Sequence, residues 1–194
     1  MNRRSSVNAK AAHCLITLVI SLPVSSAIGN EDSSPPLTET RKCAAQIQER
    51  ISAIAMRDWI LLDTIGRRFI ESCSRVYDSA DIAKAYGAVA AANNQMGHFK
   101  EALDQAEAGI AADYLETTSH LEKVKALFAL SSLSEAIEAF KIADDVIHFA
   151  IKLNDDQIAT AKTDYERELY MEENNAHRME CMILEEYRLL LGLK

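Results

Sequence analysis

Glycine and proline are scarce in this 194-residue chain, at six and three residues, and aromatic residues make up only 6%. So few turn-formers and ring side chains leave little material for a sandwich or barrel, whose many short strands need frequent turns. Catalytic signatures are missing as well. There is no glycine-rich phosphate loop, no Gly-x-Ser-x-Gly elbow, no His-Glu-x-x-His pair and no Cys-x-x-Cys. No enzyme class therefore finds positive support, no cofactor is expected, and no metal site is assigned.

Abundant alanine and amphipathic spacing point instead to an all-α protein. The start of the chain stands apart. Arg3, Arg4 and Lys10 precede the apolar run Leu15–Leu22, and Pro23 and small residues up to Ala27 follow. That is the pattern of a cleavable secretory signal over 1–27. The apolar run is too short for the roughly 20 residues that span a bilayer, so a membrane role enters only if the segment stays uncleaved. Cleavage after Ala27 would remove three basic and no acidic residues, taking the formal charge from −8 to −11. Such acidity opposes nucleic acid and anionic lipid as partners. The expected location is the periplasm, and residues 28–37, with acids, serines and two prolines, read as a linker.

Cys43, Cys73 and Cys181 lie beyond the signal. If Arg57–Asp58 turns a helical hairpin, Cys43 and Cys73 each stand 15 residues from Asp58. On antiparallel helices they then sit at equal height, within disulfide reach, closing a loop worth about 3–4 kcal/mol. Cys181 is left over, either buried and inert or a bridge between chains.

The helical pattern can be followed along the chain. Cys43, Ile47, Ile51 and Ile54 form an apolar stripe, and a second helix from Trp59 to about Tyr77 returns it. A helix from Ala83 to Met96, a turn at Gly97–His98 and a helix from Phe99 to Ala112 make the next pair. Ser119 with Glu122, and Ser132 with Glu135, have capping-box spacing and mark two further starts. Asn154–Asp155–Asp156 offers a cap to a long final helix from about Asp156 to Leu190. That helix either caps an open end of the core or pairs with a second chain, making it the candidate contact for an oligomer. Glu173, His177 and Cys181 share one of its faces at successive spacings of four, the best metal-like constellation and the basis of an alternative metal- or ligand-binding reading.

The most informative feature is a repeat. Phe99 and Leu133 are 34 residues apart, as are Ala102 and Ala136, and each alanine follows its partner by three. Stacked helical hairpins give such a period. Tyr86, Val89, Ala90, Gly97, Phe99, Ala102, Ala106 and Gly109 in one unit, and Val124, Leu127, Leu133, Ala136, Phe140 and Ala143 in the next, resemble the tetratricopeptide repeat over about 65 residues. Asn93 and Lys123 depart from it, standing where an aromatic and a leucine are usual, and a generic helical bundle is the competing architecture. The resemblance implies a short right-handed α-α superhelix with hairpins at about 38–77, 83–113 and 117–153, closed by the last helix. It also implies a non-catalytic adaptor that holds another protein's peptide or helix on a concave surface. First-helix positions would line that surface: Lys84, Gly87, Ala91, Asn94 and Gln95, then Thr118, Leu121, Lys125 and Phe128. Gly87 and Ala91 stand at two of the places where some members grip a terminal carboxylate, so that arrangement is not reproduced.

Overall fold

The computed structural model describes residues 37–193. The signal segment 1–27 and most of the linker fall outside the described residues. Seven helices follow one another, and no strand occurs among the described residues: α1 Leu37–Met56, α2 Trp59–Cys73, α3 Ser79–Met96, α4 Phe99–Ala112, α5 Thr117–Ala129, α6 Leu133–Thr160 and α7 Asp164–Leu190. Each helix packs on the next, and α3, α5 and α7 also lie against one another in that order. The protein is therefore all-α.

The first three pairs are joined by the same turn. Arg57, Gly97 and Ser131 each take a left-handed backbone, with φ of 56°, 80° and 62°. Each donates its N–H three residues back, to Ile54, Asn94 and Phe128, and the next N–H reaches five back, to Ala53, Asn93 and Leu127. This closes the last carbonyls of the first helix and starts the second one residue later. Trp59, Phe99 and Leu133 are accordingly the first residues of α2, α4 and α6. The turn recurs after α7, where Gly192 at φ 71° donates to Leu189 and Leu193 to Arg188.

Small residues set the spacing between helices. Ala90, Ala102, Ala106 and Ala136 are wholly buried. Gly109 of α4 sits so close to α5 that a β-carbon there would collide with the Ser119 hydroxyl and come within 3.1 Å of Tyr86 Cβ. Larger side chains fill the ends. Leu121, Leu127, Phe140, Ile147, Ile183 and Leu184 make one core between α5, α6 and α7. Cys43, Ile47, Phe69, Cys73, Ile82 and Ala85 make another between α1, α2 and α3. The expected disulfide joins Cys43 to Cys73 with Cα atoms 5.8 Å apart.

Several boundaries differ from expectation. α1 begins at Leu37, one residue into the expected linker. α3 begins at Ser79, four residues before the expected Ala83, because the Asp78 side chain accepts from Asp81 N–H and caps the helix there. The two expected capping boxes do not form. Glu116 caps α5, leaving Ser119 buried inside it, and Ser132 stands at the cap of α6 without a side-chain bond. The final helix does not start at Asp156. Asp155 accepts from Asn174 and Arg178 of α7, so it serves the contact between helices, and α6 continues to Thr160. The reversal comes at Ala161–Thr163, where Thr163 and Glu166 make a full capping box.

Gly109→Ala and Ser131→Gly should move stability in opposite directions. Alanine normally gains up to about 1 kcal/mol over glycine in a helix, but at 109 the collision with α5 reverses the sign. Glycine at 131 relieves a left-handed serine, a strain of about 1 kcal/mol. Chemical denaturation of the two variants beside the parent checks both signs.

Candidate functional site

The first helices converge on a pocket of about 300 Å³, to which every helix except α4 contributes. Its walls are largely apolar: Ile54 from α1, Trp59 and Leu62 from α2, Ala88 and Ala91 from α3, and Phe149 and Leu153 from the end of α6. Trp59 is the only tryptophan of the chain.

The polar groups of the wall are unevenly satisfied. Arg50 lines the pocket at 4% exposure. Its guanidinium stacks over the Phe69 ring, 4.9 Å from the centroid, but Nε and Nη1 are buried and donate to no protein atom. Burial pulls its pKa down to about 10, against the pull of Asp81, which attracts it without a direct ion pair. Lys84 reaches Glu173 of α7 at 3.9 Å, a loose pair. Both side chains belong to the pocket wall.

The start of α5 carries the other polar groups. The Glu116 carboxylate accepts from Ser119 N–H at 2.5 Å, and Gly87 of α3 leaves room for it, since a β-carbon there would approach Glu116 Oε2 to 2.9 Å. Burial pushes the Glu116 carboxyl up to about 7, opposed by the Ser119 hydrogen bond and reinforced by the charge of Glu180. Thr118 donates to Glu180 Oε1 at 2.7 Å, and His177 Nδ1 stands 3.1 Å from Thr117 Oγ1 and 3.3 Å from Glu180 Oε2. These bonds tie α5 to α7 along one wall.

Of the nine first-helix residues expected to line the partner surface, Lys84, Ala91 and Thr118 line the pocket. Asn94 donates to Glu122 Oε2 at 2.8 Å and to its backbone oxygen at 2.9 Å. Lys125 pairs with Glu122 at 2.5 Å, so both residues hold α3 to α5 or satisfy a buried charge. Leu121 is core, and Phe128 packs edge-on against Tyr187 of α7. Gln95 is exposed, away from the pocket. Leu121 and Phe128 are covered because α7 lies on α5, whereas Asn94 and Lys125 are held by Glu122.

Glu173, His177 and Cys181 are likewise drawn apart, to Lys84, to Thr117 and Glu180, and to His148 at 3.9 Å. Among the described residues no three histidine, cysteine or acidic side chains are grouped to hold a metal ion. Cys181 is free and half-buried, and burial raises its thiol pKa, which disfavours the reactive thiolate.

Arg50 and Glu180 were not foreseen as site residues, though the sequence holds their signal. Arg50 falls between Ile47 and Ile54 at spacings of three and four, and Glu180 between Ala176 and Ile183 at four and three. A charge on an apolar stripe is directed inward by the helix, and there it needs a partner or a task. Comparison with family models, with curated proteins and with solved structures gave no match for this chain.

The Glu116 carboxyl gives a pH test. Its folded pKa of about 7 lies above its ordinary 4.5, so between those values the folded chain keeps a proton that the unfolded chain has lost. Stability is then greatest below about pH 4.5 and falls as pH rises through about 7, by on the order of 3 kcal/mol from this group. Glu116→Gln retains the cap acceptor without the charge. Urea midpoints measured from pH 4.5 to 8 should fall for the parent, and the variant should lose this part of the fall.

Proposed function

We propose that this chain is a non-catalytic binding module: a short stack of tetratricopeptide-like hairpins in a right-handed superhelix, exported to the periplasm by its N-terminal segment. In this reading α7 is the cap, and another protein supplies a peptide or helix to the concave side. The observation that carries it is the pocket to which α1, α3, α5 and α7 contribute beside α2 and α6, each of those four helices ending in the same turn. Repeat stacks expose such a surface because each unit adds a small rotation to the one before.

The Cys43–Cys73 disulfide is compatible with an oxidising, exported location. No helix among the described residues is long and apolar enough to cross a membrane. Met182, Leu189 and Leu190 remain exposed on α7 and offer a surface to a second copy. The alternative built on Glu173, His177 and Cys181 is weaker, because each of the three side chains has a different neighbour.

A photoreactive residue at Ala88 inside the pocket, compared with one at exposed Lys141 on α6, tests the assignment in intact cells. The Ala88 adduct should map by mass spectrometry to a single segment of one protein, with none from Lys141. A folded protein whose Ala88 probe captures no more than the Lys141 probe overturns the adaptor reading.

A further inference from the structure

Arg50 is an anomaly in energetic terms. A buried cation is ordinarily paired, because leaving water costs it several kcal/mol. Here its Nε and Nη1 have no acceptor, the ring of Phe69 covers one face, and Asp81, whose charge attracts it, forms no ion pair with it. Arg50 nevertheless lines a pocket whose wall is mostly hydrocarbon by area. An unmet donor set beside apolar surface is complementary to a molecule with one anionic end and one apolar end.

We propose that the pocket binds a small organic carboxylate with an aliphatic body, its carboxylate on Arg50 and its chain against Ile54, Trp59, Leu62 and Ala88. The proposal rests on the unmet donors of Arg50 and not on the adaptor reading, although both use this pocket. Size supports it. About 300 Å³ lies at the small end of the range for small-molecule sites. The charge of the wall selects the class. Arg50 and Lys84 are the cations, but Asp113, Glu116, Glu173 and Glu180 also line the pocket. A phosphate dianion would meet those acids with twice the charge, whereas a monoanion can sit on Arg50 and turn only hydrocarbon elsewhere. Arginine is also the cation best matched to a carboxylate, being delocalised and weakly hydrated.

Trp59 provides the readout, since it is the sole tryptophan and stands in the wall. Octanoate titrated into the oxidised protein should change its emission saturably. Affinity should rise about three- to fourfold per methylene from butanoate to octanoate, and octanol should bind at least about tenfold more weakly than octanoate. Arg50→Met should erase the difference between octanoate and octanol while raising, or leaving unchanged, the melting temperature without ligand, because it removes an unpaired buried charge. A purely structural arginine would instead lower the melting temperature and leave the preference intact. Should R50M fail to fold, Ala88→Phe decides the matter by filling the pocket, and octanoate binding must then be lost.

Three results overturn the proposal: no saturable response to octanoate, equal affinity for octanol, or octanoate binding that persists in Ala88→Phe. A tetrapeptide ending in leucine that binds more tightly than octanoate would assign the pocket to a peptide end instead of a free small molecule. Loss of photocrosslinking from Ala88 with octanoate binding retained would sink the adaptor reading alone.

Discussion

The polar contacts between α3, α5 and α7 fix the position of everything else in this structure. Asn94 donates to Glu122, Thr118 donates to Glu180, and the Glu116 carboxylate lies over Gly87 while capping α5. Each contact joins a buried or half-buried polar group on one first helix to the next. Apolar faces tolerate small slips between helices, since hydrocarbon contacts are non-directional. Buried hydrogen bonds do not, because a slip leaves their donors and acceptors unmet at roughly 1–3 kcal/mol each. The register of the three helices is held by these bonds, and the shape of the pocket between them follows from that register.

Around this row the chain repeats one local solution. The left-handed residue at the end of the first helix turns the chain within two residues and satisfies the last carbonyls. Only Gly97 is the residue type that adopts this backbone without cost. Arg57 and Ser131 hold the same conformation because the packing of the flanking helices outweighs a local strain of about 1 kcal/mol. Repetition of the turn delivers Ala102 and Ala136 to equivalent buried places, and it gives the 34-residue spacing a structural meaning. The disulfide strengthens the first hairpin, joining α1 to α2 within the core they share with α3.

Much of the helical layout was readable from residue order. Helix starts at Trp59, Phe99 and Leu133, the left-handed Gly97 and the Cys43–Cys73 pair all follow from local spacing and turn chemistry. The failures share a cause. Ser119 looked like a cap and Asp156 looked like a start because each carries the right local chemistry. Contacts from distant residues decided otherwise: α7 takes Asp155 of α6, and Glu116, pressed against Gly87, claims the cap of α5. Two residues of the expected partner surface are drawn inward for the same reason, since Leu121 and Phe128 pack against α7.

The sequence by itself determined that this chain is helical, where most of its hairpins turn, and which two cysteines join, because those outcomes rest on interactions within some thirty residues. Tertiary structure alone decided which polar residues are satisfied and which are not. Asn94 and Lys125 looked available and are spent on Glu122, whereas Arg50, hidden in an apolar stripe, is left without an acceptor beside a pocket. Whether a donor is met depends on what a remote helix brings to it, and spacing along a single helix carries no record of that.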